Sequence, residues 1–327
     1  MELFIDNGTT RFYPSVLEGV KWTTERRGSP GILNFTVVKD ENLVFEEGNS
    51  IAFRYDNENI FNGFIFTKKR NKENLIEVTA YDQLRYLKNK DTYMYENKKA
   101  SDVIKMLAAD FRLPIGVIED TGYVIPSRDE DNKTLFDIID MALTMTTTSK
   151  GTIHTLYDDY GKLTLKSMEN MTTDLLICDE SGEDFDYTSS IDTNTYNKIK
   201  VTYDNEKAGK REVFISQSSE NINAWGTLQY YESISADSKT DINAIRTAAK
   251  IKADTLLTLY NAKSRSLSFK NLFGDTRVRA GTRVYVHMNL GDILLKNYMM
   301  VNKATHTYSK DTHLMDIELI GGGIYGN

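Results

Sequence analysis

The chain has 327 residues, 40 of them basic and 47 acidic, and a formal net charge of −7. That balance argues against a dedicated DNA-binding protein, which needs a basic face to release counterions. With 40% hydrophobic and 27% charged residues it is composed like a folded globular protein, and its length exceeds one ordinary core, so two or three domains are expected. The opening MELFIDNGTTRF has neither the basic nor the apolar region of a signal peptide, and no run of 18 apolar residues exists to span a bilayer. The single cysteine, Cys178, cannot form an internal disulfide, which suits a reducing compartment.

In chain order, the first 88 residues read as strand after strand. GILNFTVV, NSIAFRY, IFNGFIFT and LIEVTAY alternate or run apolar between turn residues, the pattern of a small antiparallel barrel or sandwich. From about residue 97 the period becomes helical. In ASDVIKMLAADF, Val103, Ile104, Leu107, Ala108 and Phe111 share a face, with Pro114 beyond the end. A second helix is expected in TLFDIIDMALTM, with Thr134 as N-cap, Asp137 three residues on, and Leu135, Ile138, Ile139 and Ala142 as its stripe. TIHTLY and KLTLKSM, joined by DDYG, predict a hairpin. Strands return at NKIKVTY and REVFISQ. A long helix follows in TDINAIRTAAKIKADTLLTLYNA, capped by Thr240 or Asp241, and the last 60 or so residues are strands again.

The C-terminal stretch LSFKNLFGDTRVRAGTRVYV echoes LNFTVVKDENLVFEEGNSIAF near the start. Leu33 and Phe35 match Leu267 and Phe269; Phe45 and Val278 each precede a glycine by three residues, Gly48 and Gly281; Ile51 and Phe53 match Val284 and Val286. Both copies continue through an apolar strand, a polar turn and a closing strand. A strand, a turn whose glycine takes positive φ, and a half-buried strand are common pieces, but two copies in the same order indicate a duplicated barrel. The reading is therefore a mainly β chain with α+β insertions: two related small antiparallel β-barrel domains plus an α+β domain and a long helix. The expected boundaries are 1–88 for the first barrel, 89–172 for the α+β domain, 173–205 with 264–327 for the second barrel, and 206–263 for an insertion. Arg277, Arg279 and Arg283 alternate with the inward Val278 and Val284, which places them on an outer, solvated or subunit-facing side, where the first copy has Glu46 and Glu47.

Residues that carry chemistry are sparse. The tail GGGIYG, Gly321 to Gly326, fits a dinucleotide fingerprint formally but has no helix after it to meet a pyrophosphate. His306 and His313 flank TYSKDT and face each other across a predicted hairpin with Asp316 close. Lacking further ligands, they read as exposed strand histidines. Cys178 precedes Asp179, Glu180, Glu183 and Asp184, a poor setting for a thiolate. DEDNKTLFD lacks the glycine and terminal glutamate of a calcium loop, so helix capping explains it. The basic run TKKRNKEN, Thr67 to Asn74, reads as a solvated turn or a contact with an acidic partner. No nucleophile-elbow, zinc-protease or P-loop motif is present, and no carboxylate pair stands out. The expectation is a protein that is not an enzyme, with no catalytic, cofactor-binding or metal residues and no cofactor.

Three segments resemble a known family: VTAYDQLRYLKNKDTYMYENKKASDVIKMLAADF (Val78 to Phe111), NTYNKIKVTY (Asn194 to Tyr203) and LSFKNLFGDTRVRAGTRVYV (Leu267 to Val286). ATHTYSKDTHLMDIEL (Ala304 to Leu319) is similar to its closing hairpin. The chain resembles the baseplate hub proteins of contractile phage tails and tail-like particles, closest to the XkdQ-type hubs of PBSX-like defective prophages. The resemblance covers most of the chain as a pattern of apolar positions and turns. It implies a structural homotrimer, made in the bacterial host cytoplasm and assembled into the baseplate. There it would join a six-fold tail tube protein to a three-fold central spike protein, touching other baseplate proteins and a tape-measure protein. It implies no membrane anchor and no sequence-specific nucleic-acid binding. Some such hubs carry a cell-wall hydrolase, and none is recognisable here. The competing readings are a carbohydrate- or wall-binding module, which would need Trp22, Trp225 and tyrosines on one exposed face, and a cell-wall hydrolase with an unrecognised carboxylate pair.

Overall fold

The computed structural model describes residues 1–192, 195–205, 208–235, 241–291 and 293–321. The chain divides into two compact units, one of residues 1–185 with 268–319 and one built on residues 186–267.

The first unit opens with β1 (Glu2–Asp6), β2 (Arg11–Phe12), β3 (Val20–Glu25), β4 (Ile32–Val38), β5 (Ser50–Tyr55), β6 (Glu58–Arg70) and β7 (Leu75–Tyr81). They lie in the order β3-β4-β7-β6-β5-β1-β2. The segment after β2 returns to β4, where Leu17 N–H donates to Thr36 O and Val38 N–H to Ser15 O, so the sheet curls on itself. Period-two alternation sends Leu33, Phe35 and Val37 of β4 and Ile76, Val78 and Ala80 of β7 into one core with Ile51, Phe53 and Ile65.

The chain then builds β8 (Lys90–Lys99), α1 (Ala100–Asp110), β9 (Ile115–Ile118), β10 (Val124–Thr134), α2 (Leu135–Lys150), β11 (His154–Asp158) and β12 (Leu163–Ser167). β8 and β10 form an antiparallel ribbon, and β11, β12 and β9 a small sheet. The two helices bury the stripes expected of them: Val103, Ile104, Leu107 and Ala108 on α1, and Leu135, Ile138, Ile139 and Ala142 on α2. Thr134 caps α2 by accepting from Asp137 N–H, while Asp137 accepts from Thr134 N–H, and Gly151 ends it at φ 74°. The run DEDNKT thus closes a strand and starts a helix. The β8–β10 ribbon is absent from the sequence reading, because its strands are mostly exposed and charged, with Tyr95 and Ile125 as the core contributors.

β13 (Thr172–Cys178) and β14 (Asp184–Ser190) follow. The second unit holds β15 (Lys198–Asn205), β16 (Lys210–Gln217), α3 (Ser219–Trp225), β17 (Gln229–Ile234) and α4 (Ile242–Tyr260). β15 lies between antiparallel β16 and parallel β17. Ile199 and Val201 meet Ala249, Ala253 and Leu256 of α4, whose alanines let helix and sheet approach closely. Grouped with the second barrel in the sequence reading, residues 198–205 pair instead inside this three-stranded sheet. Asp241 caps α4 by accepting from Ala244 N–H; Thr240 lies outside the described residues.

β18 (Ser264–Phe273), β19 (Arg283–Asn289), β20 (Leu294–Tyr308) and β21 (His313–Gly321) complete the chain. Their order, β14-β18-β21-β20 with β19 beside β20 and β13 beside β19, repeats β3-β4-β7-β6 with β5 beside β6 and β1 beside β5. One difference is that β13 runs parallel to β19, whereas β1 is antiparallel to β5. The long strand β20 also carries the sheet from one barrel to the other: Arg283–Asn289 pair with its first half, and β3 with Lys303–Tyr308. Tyr308 thereby enters the first barrel's core, 5.0 Å from the Phe53 ring and 4.9 Å from Tyr55.

The Tyr308 hydroxyl is buried without a partner among the described residues, and burial raises its pKa. Removing that hydroxyl spares the fold an unpaired polar group, whereas removing the ring opens a cavity. Tyr308→Phe is expected to match or exceed the parent by about 1 kcal/mol, and Tyr308→Ala to lose about 3–5 kcal/mol. Urea unfolding of the two variants checks the pair.

Candidate functional site: the repeated turn and the joint between barrels

The glycine turn is built twice with the same bonds. Gly48 has φ 91° and Gly281 φ 93°. Gly48 N–H donates to Ile65 O at 2.7 Å and Gly281 N–H to Val301 O at 2.8 Å. Ile65 N–H returns a bond to Asn49 O, and Val301 N–H one to Thr282 O. The side chain of the residue after each glycine accepts from the turn's first amide: Asn49 Oδ1 from Glu46 N–H, and Thr282 Oγ1 from Arg279 N–H. Registers agree as well, with Ile51 opposite Gly63 and Phe53 opposite Phe61 in one copy, Val284 opposite Met299 and Val286 opposite Asn297 in the other. The duplication read from sequence is thus present bond for bond at this turn.

The joint between copies is the β20–β3 pair. Lys303 faces Glu25 and Tyr308 faces Val20. Lys303 Nζ lies 3.1 Å from the Glu25 carboxylate, the Thr23 and Thr305 hydroxyls are 3.2 Å apart, and Trp22 packs on His306 at 5.2 Å between ring centroids.

Arg279 departs from the outer-face expectation. Its guanidinium lies 4.2 Å from the Tyr157 ring centre and 5.4 Å from Trp22, and Nη2 donates to Asp158 O at 2.8 Å. The alternation fails because the turn preceding β19 rotates Arg279 under the α+β domain, while Arg277 stays exposed and pairs with Asp275 and Asp174. Arg283 packs over Tyr298 at 4.9 Å. Asp82 accepts from Gly31 N–H at 2.8 Å and Leu84 N–H at 3.0 Å, and Asp158 accepts from Gly161 N–H at 2.6 Å. Burial raises Asp82, with the Asp158 charge adding to it; burial likewise pushes Asp158 from 3.8 to about 6 and lowers Arg279. This is a desolvated polar knot where both barrels and the α+β domain meet.

His306 and His313 do face each other, Nδ1 to Nε2 at 2.8 Å, but His306 is fully buried rather than exposed. Its Nε2 lies 2.9 Å from Val278 O, a pure acceptor, so Nε2 carries the proton and Nδ1 accepts from His313. Burial pushes His306 down to about 3, helped by His313, and His313 to about 4. Asp316 bonds Asn271 N–H instead of either imidazole. Among the described residues no group of three His, Cys, Asp or Glu is placed to hold a metal.

The remaining candidates are structural. Cys178 N–H donates to Ser181 Oγ at 2.8 Å, with Sγ 3.4 Å from that oxygen. In the basic run, Lys68 Nζ donates to Phe45 O at 2.6 Å and sits over the Phe45 ring, Lys69 pairs with Glu77, and Arg70 donates to Asn74 Oδ1. A groove of about 480 Å³ near Tyr157 and Thr172 holds one carboxylate, Asp174, already paired with Arg277. Of the GGGIYG tail, residues 322–326 lie outside the described residues. Sequence reasoning missed the cluster of Arg279 with the buried Asp82 and Asp158; the available signal was an arginine opening the conformationally fixed turn, with DDYG predicted to close a hairpin elsewhere.

A mainly β chain with two like barrels joined through a shared strand has the fold of phage tail proteins. It superposes on the 43 kDa tail protein of prophage MuSo2 from Shewanella oneidensis with a TM-score of 0.69 at 11% identity, covering 99% of this chain and 100% of that one. It also superposes on the c3393 protein of Escherichia coli, a type VI secretion system component described as structurally similar to the T4 tail proteins gp27 and gp5. There the TM-score is 0.55 at 10% identity, covering 100% of this chain and 79% of that one. The chain belongs to the YqbQ-like family, whose model matches residues 20–320. Its relatives include the phage-like element PBSX protein XkdQ of Bacillus subtilis, 28% identical over 98% of this chain and 97% of that protein.

Two measurements test the site. At Gly48 a Cβ meets open space, whereas at Gly281 it comes within 2.6 Å of the Thr155 side chain. Gly48→Ala is therefore expected to cost about 1 kcal/mol of backbone strain, and Gly281→Ala clearly more; equal losses in chemical denaturation contradict this. The second concerns acid. Below the ordinary histidine value of 6.5 the unfolded chain binds protons that folded His306 refuses, so acid removes stability from there down towards pH 3. Asp158 works oppositely, since the fold keeps a proton that the unfolded chain releases between about pH 4 and 6, and Asp82, also raised by burial, acts in the same direction. His306→Gln is expected to reduce the acid loss between pH 6 and 5 by on the order of 1 kcal/mol. Unfolding curves at pH 7, 6 and 5 with parallel trends for both proteins contradict the buried neutral histidine.

Proposed function

We propose that the protein is a structural baseplate hub subunit of a contractile tail or tail-like injection particle. In this reading a homotrimer adapts the six-fold tail tube to the three-fold central spike. The observation that carries it is the bond-for-bond repetition of the Gly48 and Gly281 turns in two barrels joined by β20. Two like barrels in one chain, repeated by three-fold symmetry, offer six similar positions to a six-fold tube. The fold likeness to tail proteins and the membership in a family with the PBSX protein XkdQ support the same reading. Partners are then the tube protein, the spike, other baseplate proteins and the tape-measure protein, with synthesis in the host cytoplasm before assembly.

The sugar-binding alternative is weakened by Trp22, which is 4% exposed and packed between His306 and Arg279. The hydrolase alternative needs two accessible carboxyls flanking a cleft. The strongly shifted pair, Asp82 and Asp158, is buried, with both Asp82 oxygens and Asp158 Oδ1 accepting from backbone amides.

Three chains at −7 each carry −21 formal charges. A channel through such a ring is expected to be neutral to negative, so a passing polyanion meets repulsion rather than adhesion within about 8–10 Å. Imaging of assembled particles checks both points. The expected result is a three-fold ring with six barrel positions around an acidic or neutral channel; another symmetry, or a channel lined by lysine and arginine, overturns the reading.

A further inference from the structure

In the second unit, α4 covers one face of the β16-β15-β17 sheet, where Val201 stands opposite Phe214 and Ile199 opposite Tyr230. Period two sends the intervening residues to the other face. There Lys200 stands between Ile215 and Tyr231, and Thr202 beside Val213. Val213 is 47% exposed, Ile215 44% and Tyr231 50%. The Tyr231 hydroxyl lies 3.1 Å from Thr202 Oγ1, which holds the ring along the sheet, with the Lys200 ammonium 5.9 Å from its centre. β15 and β17 run parallel, and parallel strands normally have both faces covered. Here three large apolar side chains stand together on a face open to water.

Charge narrows what can cover it. The cations of α4 are each neutralised, Arg246 by Glu212, Lys250 by Asp254 and Lys252 by Glu232, and on the open face Arg211 pairs with Asp204. Lys198 and Lys200, on the central strand, have no carboxylate partner among the described residues. We propose that this face docks an acidic amphipathic helix of a different polypeptide. Three strands spaced about 4.8 Å apart make a face roughly one helix wide, and α4 alone fills the opposite one. Lys198 and Lys200 are two strand residues apart, about 6.6 Å, and carboxylates four residues apart on a helix are separated by about 6 Å of rise. The helix's apolar stripe then rests on Val213, Ile215 and Tyr231. The described helices of this chain hold no two carboxylates four residues apart, so a second copy does not supply that helix. Nucleic acid fits less well: residues 186–267 hold 11 basic and 10 acidic side chains, and two unpaired lysines neutralise few phosphates.

The docking rests on the chain being a tail component, not on three-fold symmetry, and the experiment separates the two failures. Purified chain and tail particles containing it are treated alike with a carbodiimide, which joins amines to carboxyls in contact, and the joined peptides are read by mass spectrometry. In particles, Lys198 and Lys200 are expected to link to Asp or Glu of a different polypeptide, through links that the free chain lacks. Ile215→Glu sets a carboxylate directly across from Lys200, a favourable cross-strand pair that leaves urea unfolding of the free chain unweakened. It removes apolar contact and repels an acidic helix, so the Lys198 links are expected to fall roughly tenfold. With the chain present in particles, four results each overturn the docking and leave the tail reading intact: no links from either lysine, links only to a second copy, links that appear only after nuclease treatment, or Lys198 links undiminished in the variant. Particles without the chain overturn the tail reading and the docking together.

Discussion

Everything in the first unit depends on one strand being too long for its own barrel. β20 has 15 residues, and its pairing with β19 uses the first seven. The remainder must place its backbone groups somewhere, since unpaired amides away from water are costly. β3 takes them. Once it does, Tyr308 is committed to a core made by residues 3–80, and the two barrels cannot fold as strangers. Sequence separation between the paired strands exceeds 275 residues, as in Thr23 with Thr305, so this contact closes a very large loop and is expected to form late in folding.

The polar groups near the joint follow from it. Once Trp22 is fixed against His306, the space beyond is shared by Arg279, Tyr157, Asp82 and Asp158. A buried arginine beside two carboxyls is not a strong source of stability, because desolvating each charge costs much of what pairing returns. What such a cluster does impose is geometry: Arg279 must reach Asp158 O, and Ala280 N–H must reach Thr24 Oγ1. Both bonds tie the turn before β19 to other parts of the unit, which fixes the second barrel's turn more firmly than the first's. The tight approach of Thr155 to Gly281, absent at Gly48, is the same constraint seen sterically.

Much of this was legible in the sequence, and for identifiable reasons. The Thr134–Asp137 cap, the stripes of α1 and α2, and the repeated glycine are local signals that the tertiary fold reinforces. Composition and alternation gave the β class, and spacing brought His306 opposite His313. Most of the failures are non-local. His306 looks like any surface strand residue until β3 covers it. Arg279 fits the period-two pattern of its sequence neighbours but sits in the turn before β19, where it meets Tyr157, from 122 residues earlier in the chain. Residues 198–205 read as one more barrel strand because period-two patterning does not name the partner, and α4 supplies an apolar face as readily as a barrel does. The β8–β10 ribbon lacks an apolar period altogether, so nothing in the chain's pattern announced it.

The inequivalence of the two copies bears on symmetry. In the first, β3 and β4 are joined by six residues, Arg26 to Gly31, and the α+β elements follow β7. In the second, the counterparts β14 and β18 are separated by residues 191–263, which fold as their own sheet and helix. In the proposed ring the barrels recur six times, but each insertion recurs only three times. A six-fold partner would meet the repeated barrels, whose turns share bonds and register, and a three-fold partner would meet the insertions. Duplication followed by unequal insertion is thus sufficient, on geometric grounds, to convert one symmetry into the other without any chemistry beyond strand pairing and packing.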